Sequence, residues 1–323
     1  MKLKVGIIGG AGYTAGELIR LLINHPDVEI SFINSTSNMG NPVTDIHGGL
    51  IGETDLIFSD TLSFYGVNAL FLCSAHGDSR KFMETHSLPK SLKIIDLSTD
   101  FRHRETAGGF IYGLPELNKS SIKTASRIAN PGCFATAIQL ALFPLAANGL
   151  LKNDIHVNAI TGSSGAGVKP SATTHFSWRA GNISIYKPFE HQHLQEITES
   201  LQQLQTGWSS PIHLIPVRGN FTRGIFASAY TACDLPIEEV KKLYSGFYKD
   251  AAFTFVTDKN PDLKQAINTN KCILYLEKHA NKLLIISVID NLLKGASGQA
   301  VQNFNLMFGL NEKTGLQLKA NGF

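Results

Sequence analysis

Cys133 is the residue of this 323-residue chain whose neighbours best fit it for covalent chemistry. It follows Asn-Pro-Gly directly and precedes an apolar, helix-like run over residues 134–145. The first turn of a helix offers unpaired backbone N–H groups and a partial positive charge, and both favour a thiolate. We therefore predict that Cys133 is a nucleophile, whereas Cys73, Cys233 and Cys272 lie in strand-like apolar runs that are typical of core cysteines.

A thiolate that forms and releases a covalent intermediate needs an acid–base partner with a pKa near neutrality, most naturally a histidine. The segment FEHQHLQEI offers two, His191 and His193. We favour His191 as the partner. His193, three residues before Glu196 in the first turn of a predicted helix, is the alternative and is equally suited to a capping role.

A glycine-rich loop follows the first predicted strand and precedes an amphipathic helix. Glycines at this place let backbone N–H groups approach a pyrophosphate and aim the helix N-terminus at it. The predicted dinucleotide-binding residues are Gly9, Gly10, Ala11, Gly12, Tyr13, Thr14 and Ala15.

The end of the second predicted strand, FINSTSN, bears on which dinucleotide binds. It lacks the Asp or Glu that grips a ribose 2′-hydroxyl in an NAD site, and this absence favours NADP, whose 2′-phosphate a carboxylate would repel. The hydroxyls of Ser35 and Ser37 are the predicted phosphate donors, and NADP(H) is the predicted cofactor.

Composition and charge exclude several classes of protein. The net charge is only +3 and no Lys/Arg cluster occurs, which argues against a nucleic-acid partner. The apolar start is too short for a signal peptide, and no apolar run approaches the roughly 20 residues that span a bilayer. The cysteines have neither metal-ligand nor disulfide spacing, so a reduced, cytoplasmic enzyme without a metal is expected.

The alternation of strands and helices predicts an α/β fold with two domains. Residues 1–132 read as a Rossmann-type doubly wound parallel sheet, which helix 297–323 rejoins. Residues 133–296 carry strand-like runs with few helices between them, and they predict an α+β catalytic and oligomerisation domain with a mixed sheet.

Seven segments in this order resemble the N-acetyl-gamma-glutamyl-phosphate reductase family of the aspartate-semialdehyde dehydrogenase superfamily: GGAGYTAGEL, IDLSTDFR, YGLPEL, NPGCFAT, GSSGAG, GNFTRGI and DNLLKGASGQAVQN. The resemblance spans nearly the whole chain. It implies reversible, NADPH-dependent reduction of an N-acyl-glutamyl 5-phosphate to the 5-semialdehyde with release of inorganic phosphate, through a thioester on Cys133. It also implies a homo-oligomer, a dimer or a tetramer.

Further site residues come from the motifs and from their chemistry. The resemblance implies that His76 belongs to a loop near the cofactor and that Asn291 bonds the nicotinamide amide. Ser164 and Gly165 lie in a tight polar loop suited to hold substrate through backbone N–H groups. A carboxylate and a phosphate call for cationic side chains, and the candidates are Arg102, Lys169, Arg179, Arg218 and Arg223. Of these, Arg102 and Arg223 fall on motif positions.

Residues 167–193 depart from the family pattern, with Gln192 in place of an arginine and with added bulk and charge. This departure motivates the hypothesis that the acyl group is succinyl, its extra carboxylate pairing with Arg179 or Lys187. An aminoadipyl phosphate is a further candidate substrate. A cysteine hydrolase and a non-catalytic nucleotide sensor are alternatives from other classes, and the glycine loop argues against the hydrolase.

Overall fold

The computed structural model describes residues 2–322. The strands of the described residues are β1 Leu3–Ile8, β2 Val28–Asn34, β3 Phe58–Ser59, β4 Ala69–Leu72, β5 Lys93–Asp96, β6 Ile111–Tyr112, β7 Arg127–Ala129, β8 Ile155–Thr161, β9 Ser184–Ile185, β10 Ile212–Arg218, β11 Ile225–Ala232, β12 Thr254–Thr257, β13 Cys272–His279 and β14 Lys282–Ile289. The helices are α1 Tyr13–Ile23, α2 Val43–Ile46, α3 Asp78–Thr85, α4 Pro115–Thr124, α5 Cys133–Ala147, α6 Phe176–Arg179, α7 His193–Leu204, α8 Ile237–Tyr248 and α9 Gly298–Met307.

The chain forms two compact units. The first comprises residues 1–131 and 296–317, and the second comprises residues 132–295 and 318–323. The boundaries expected from the sequence, at 132/133 and 296/297, lie one residue away. The helix predicted over residues 297–323 is shorter, because α9 ends at Met307 and turns follow it. Residues 318–322, predicted to belong to the first domain, group with the second unit.

The first unit is built on a parallel sheet with the strand order β3-β2-β1-β4-β5-β7-β6. Strand order reverses between β1 and β4, and open parallel sheets bind ligands at the carboxyl ends of the strands flanking such a point. Both strands are buried on both faces, as their near-continuous apolar sequences predict.

The second unit has a mixed sheet with the order β12-β13-β14-β11-β8-β10-β9. β10 pairs parallel to β8, and β11 pairs antiparallel to both β8 and β14. Residues along β8 and β11 alternate between buried and more exposed, and α5 packs against β11 and β14. The predicted fold class, a doubly wound sheet with an added mixed-sheet domain, is confirmed.

Helix α5 is buried on nearly all sides, which explains its almost uniformly apolar sequence. Pro144 in its last turn has no N–H to donate to the carbonyl of Leu140. The Tyr248 hydroxyl donates to that Leu140 oxygen at 2.5 Å, and Tyr244 donates to the next one, of Ala141, at 2.6 Å. The Tyr248 hydroxyl of α8 therefore replaces the one bond that the proline removes.

Among residues 2–322, the helices are all too short or too polar to cross a bilayer.

Candidate active site

Cys133 is the first residue of α5, and Gly132 is the cap that precedes it. Gly132 has no side chain to cap α5 and no acidic residue lies in the first turn of the helix, so the helix dipole acts on the thiol. A methyl group on Gly295 would lie 2.8 Å from Cβ of Cys133, so the chain passes the cysteine at a distance that only glycine allows. Cys133 is half-buried and outside any disulfide.

His193 lies directly over the residue that precedes the cysteine. A Cβ on Gly132 would be 2.4 Å from Nε2 of His193. Glu196, fully buried and one turn further along α7, accepts the Gly132 N–H through Oε2 at 2.9 Å, and its Oε1 is 3.9 Å from His193 Nε2. One carboxylate thus anchors both the start of α5 and the imidazole, an arrangement that i, i+3 spacing on a helix produces.

His191 is also buried, but its surroundings differ. Its Nδ1 accepts the backbone N–H of His193 at 3.2 Å, and its ring meets that of Phe134 edge-on at 5.3 Å. Burial, and then the charge of Lys187, lowers the pKa of His191 to about 4, against a smaller opposing effect of Glu196. This imidazole is therefore neutral at pH 7.

Arg218, a candidate substrate-binding cation from the sequence, lies beside Tyr186, which was not predicted. Burial raises the pKa of the Tyr186 phenol, and the charge of Cys133 raises it further, which places the two groups near one another. The Arg218 guanidinium lies 4.8 Å from the centre of the Tyr186 ring and acts against that rise. A cation next to an aromatic hydroxyl beside the thiol is suited to an anionic substrate.

Arg223 forms a two-pronged ion pair with Asp290. Nε lies 3.1 Å from Oδ2 and Nη2 lies 3.1 Å from Oδ1. Asp290 is completely buried and also accepts the backbone N–H of Leu292 at 2.8 Å and of Asn268 at 2.7 Å. Asp290 stands immediately before the predicted Asn291 but was not itself predicted as a site residue. The carboxylate fixes the guanidinium of Arg223, which is about one quarter exposed.

Asn291, predicted to bind nicotinamide, uses both ends of its amide inside the second unit. Oδ1 accepts the Gly224 N–H at 2.7 Å and Nδ2 donates to Ser164 Oγ at 3.1 Å. Ser164 in turn donates to the carbonyl of Thr222 at 2.6 Å. The structure thus places Asn291 as a brace of the loop that contains Ser164 and Gly165, and its contact with the cofactor stays a prediction.

Arg179 is buried, and its guanidinium N–H groups donate to oxygens of the protein itself. Nη1 donates to the carbonyl of Arg218 at 2.9 Å, and Nη2 donates to Ser184 Oγ at 3.1 Å. Burial, followed by the charge of Arg218, lowers its pKa. Arg179 therefore ties residues 176–184 to the end of β10, an arrangement that opposes the idea that it binds a second substrate carboxylate.

Arg102 belongs to the first unit. Its Nε donates to the carbonyl of Asn130 and its Nη2 donates to that of Leu97, each at 2.8 Å. The side chain is buried, and it holds the chain after β5 to the chain after β7. Its predicted role in substrate binding stays a prediction.

The glycine loop of the first unit has the geometry of an anion cradle. Gly9 has φ +79°, and a Cβ there would be 2.8 Å from the amide nitrogen of Ser74, so the chains after β1 and β4 cross closely. Gly12 caps α1 without a side-chain bond, and a Cβ on it would meet nothing within 4 Å. The open space in front of the unpaired N–H groups of Tyr13, Thr14 and Ala15 fits a pyrophosphate.

His47 shapes this loop and was overlooked in the sequence. Its Nε2 lies 2.7 Å from the carbonyl of Gly10, and its ring lies 2.6 Å from where a Cβ on Gly16 would be. No local pattern marks His47, because its contacts are made across the fold.

Three other predicted cofactor residues lie at the same edge of the sheet. Ser35 and Ser37 follow β2, and Asn38 Nδ2 donates to both hydroxyl oxygens, at 3.1 Å and 3.0 Å. His76 follows β4, is exposed, and accepts the Thr99 N–H through Nδ1 at 3.2 Å. Their contacts with a cofactor stay predictions, but the hydroxyl cluster is placed where a 2′-phosphate arrives in such folds.

Each unit matches a known family. Residues 4–125 match the semialdehyde dehydrogenase, NAD binding domain, and residues 133–291 match the semialdehyde dehydrogenase, dimerisation domain. The predicted enzyme class and the nicotinamide dinucleotide cofactor are thereby confirmed, and the dimerisation domain supports the predicted homo-oligomer.

Relatives and solved structures agree with this assignment. The chain is 69% identical over 320 residues to the N-acetyl-gamma-glutamyl-phosphate reductase of Azobacteroides pseudotrichonymphae, covering 99% of each chain. It is 63% identical to that of Parabacteroides distasonis, covering 99% of this chain and all of the other.

The fold is similar to aspartate semialdehyde dehydrogenase II of Vibrio cholerae complexed with ASA (TM-score 0.74, 17% identity, covering 96% of this chain and 99% of the other). It is also similar to aspartate semialdehyde dehydrogenase with NADP from Candida albicans (TM-score 0.69, 13% identity, covering 95% and 99%). The sequence matches span the whole chain and include both the cysteine helix and the glycine loop, and the chain belongs to the N-acetyl-gamma-glutamyl-phosphate reductase family.

Proposed function

We propose that this protein reduces N-acetyl-L-glutamyl 5-phosphate to N-acetyl-L-glutamate 5-semialdehyde and phosphate, with NADPH as the reductant, in arginine biosynthesis. The observation that carries the proposal is Cys133 at the N-terminus of α5, with the buried His193 and Glu196 held against the residue before it. Names of relatives at 60–69% identity support the same reaction.

The first chemical step belongs to Cys133. Its thiolate attacks the acyl carbon, the bond to the phosphate oxygen breaks, and inorganic phosphate leaves with the electron pair, so that a thioester remains. N–H groups in the first turn of α5 stabilise the oxyanion that develops on the acyl oxygen. Arg218 supplies positive charge in the same unit for the anionic groups of the substrate, and the guanidinium of Arg223, held by Asp290, supplies further N–H donors.

When bound, the dinucleotide supplies the hydride that reduces the thioester carbon. The remaining task of the protein is to move one proton as the thiohemiacetal collapses and the Cys133 thiolate leaves. We assign this proton to His193, because Glu196 faces its Nε2 and its ring adjoins Gly132. His191, which the sequence favours, is kept neutral at pH 7 by its low pKa. It packs beside the site and accepts the backbone N–H of His193.

The acetyl group is favoured over succinyl. The hypothesis of a succinyl substrate depends on Arg179 or Lys187 as a partner for a second carboxylate. Arg179 is buried and bonded to backbone oxygen, so only the exposed Lys187 is left to serve. Arginine would be needed for planar, two-pronged recognition of a carboxylate, and a single lysine is a weaker basis for selectivity.

The assembly and the compartment are part of the proposal. We place the enzyme in the cytoplasm as a homo-oligomer, a dimer or a tetramer. A dimerisation family model over residues 133–291 and four cysteines outside disulfides support this proposal.

The test follows NADP⁺ reduction by absorbance with N-acetyl-glutamate semialdehyde and phosphate, and with the N-succinyl analogue in parallel. Turnover should require phosphate and prefer the acetyl substrate. Cys133→Ser should lower kcat by at least about a thousandfold, whereas Cys272→Ser, at a buried core thiol, should retain turnover. Phosphate-independent turnover, an active Cys133→Ser variant or a preference for the succinyl substrate would overturn the proposal.

A further inference from the structure

Three side chains with metal-ligand chemistry converge on the second unit at a place that the reaction does not use. Among residues 2–322, the ligand atoms of Asp154, His156 and His213 all lie within 4.8 Å of one another. Nε2 of His213 is 2.9 Å from Oδ2 of Asp154. Two imidazoles and one carboxylate are the ligand types that Zn²⁺ and related ions select.

The pairing of β8 with β10 brings these groups together. His156 of β8 and His213 of β10 are register partners on neighbouring parallel strands, so their side chains project from the same face of the sheet. Asp154 immediately precedes β8, and its carbonyl accepts the hydroxyl of the buried Thr231 at 3.0 Å. All three groups are therefore carried by the rigid part of the unit.

The two histidine rings belong to a stack of three aromatic side chains. The His156 ring stacks at 4.8 Å on His213 on one side and at 4.8 Å on Tyr230 on the other. Two ligand atoms on one tetrahedral Zn²⁺ with bonds of about 2.1 Å lie about 3.4 Å apart. The present separations extend up to 4.8 Å, so metal binding requires the rings to turn about χ2, a torsion with a broad minimum.

The cluster is remote from the reacting residues. His156 precedes Thr161 by five residues, and a strand of that length spans roughly 16 Å. Thr161 and Arg218 lie at the opposite ends of β8 and β10, where the loops with Ser164 and Arg223 begin. A ligand at the cluster therefore does not compete with substrate.

We propose that Asp154, His156 and His213 form a binding site for a divalent transition metal ion of the Zn²⁺ type. The three residues supply three ligands, and water completes a tetrahedral shell. Because the ligands come from two adjacent strands and the segment before β8, metal binding clamps these elements and stabilises the second unit by mass action. This inference is independent of the reaction proposed for Cys133.

The experiment titrates Zn²⁺ into the protein against a chromophoric chelator, in a Cys133→Ser background so that the active-site thiol does not contribute. We expect one equivalent of Zn²⁺ to bind. Asp154→Asn and His213→Ala should each weaken binding at least tenfold, while reductase activity of the same variants with Cys133 intact and without metal stays unchanged.

His279→Ala is the matched control, because His279 also contacts a carboxylate, Glu277 at 2.6 Å, but lacks a third ligand. Its Zn²⁺ affinity should equal that of the parent. A second readout is the NMR signal of the His156 ring, which should shift on Zn²⁺ addition as the stack with Tyr230 opens. Absence of binding at micromolar Zn²⁺ would overturn the proposal. So would Asp154→Asn and His213→Ala variants that bind Zn²⁺ as tightly as the parent does.

Discussion

At the scale of single residues, the two histidines at the start of α7 have different environments although only one residue separates them. His193 faces Glu196 and adjoins Gly132, while His191 is buried against Phe134 with Nδ1 already accepting a backbone N–H. A group that exchanges a proton during turnover needs a pKa near the working pH. Burial moves His191 away from that range, to a pKa of about 4.

His193→Gln should therefore lower kcat by about a hundredfold to ten-thousandfold, the usual contribution of a general acid or base. His191→Gln should lower it far less, because an amide oxygen also accepts the His193 N–H. Steady-state rates of both variants at pH 7.5 check this expectation, with thermal unfolding to verify folding. A larger loss for His191→Gln would reverse our assignment of the two residues.

His191 should also make the protein sensitive to acid. Its folded pKa of about 4 lies below the unfolded value of 6.5, so only the unfolded state binds the proton between these two pH values. The free energy of unfolding is therefore unaffected above pH 6.5. As the pH falls from 6.5 to 4, it should decline by up to about 3 kcal/mol.

Urea unfolding at pH 7.5 and pH 5 measures this effect. His191→Gln should lose less stability between the two pH values than the parent does, whereas the exposed His279→Gln should behave like the parent. An identical acid dependence in the parent and His191→Gln would contradict the low pKa.

At the scale of elements, the start of α5 depends on a contact with α7. Gly132→Ala would place a Cβ 2.4 Å from the His193 ring, so the ring or the helix start must shift. Displacement of a catalytic group by about 1 Å costs on the order of a hundredfold in rate. We expect kcat of Gly132→Ala to fall by at least that factor.

Gly246→Ala is the control for this prediction. Gly246 lies inside α8 with nothing within 4 Å of its added Cβ. That substitution should leave kcat unchanged and raise the free energy of unfolding by about 0.5–1 kcal/mol, since alanine favours helix interiors. Normal turnover of Gly132→Ala would show that the close contact is dispensable.

The β1–α1 loop makes a separate prediction about cofactor binding. Gly12 has φ −81° and open space around its Cβ, so Gly12→Ala should leave the unliganded fold and its thermal midpoint unchanged. The added methyl group stands where the pyrophosphate approaches the helix N-terminus. The Kd of the Gly12→Ala variant for NADPH should therefore rise at least tenfold, as measured by fluorescence titration. An unaltered Kd would contradict the assignment of this loop as the pyrophosphate site.

At the scale of the whole molecule, we expect a particle with two or four times the 35.1 kDa mass of one chain. Large apolar side chains are exposed in the second unit at Val168, Phe176 and Ile183, and a partner chain would remove such surface from water. Light scattering coupled to gel filtration measures the mass. A monomer at micromolar concentration would contradict both the proposal and the role that the family model's name suggests.

Much of this molecule is determined by local sequence. The glycine loop between an apolar strand and an amphipathic helix indicates the dinucleotide domain, since the needed φ +79° at Gly9 and the helix start are local properties. Asn-Pro-Gly before an apolar run places Cys133 at a helix N-terminus for the same reason. The strand patterns give both sheets, because burial on one or two faces leaves a period in the sequence.

Only the tertiary structure decided which side chains meet. Glu196 reaches Gly132, and Asp290 reaches Arg223, across 64 and 67 residues of chain. Arg102 and Arg179 read as surface or substrate arginines, yet burial turns their donors to backbone carbonyls. A residue type sets the chemistry that a side chain can perform, whereas packing between distant elements sets its neighbours, its pKa and hence the chemistry available to it.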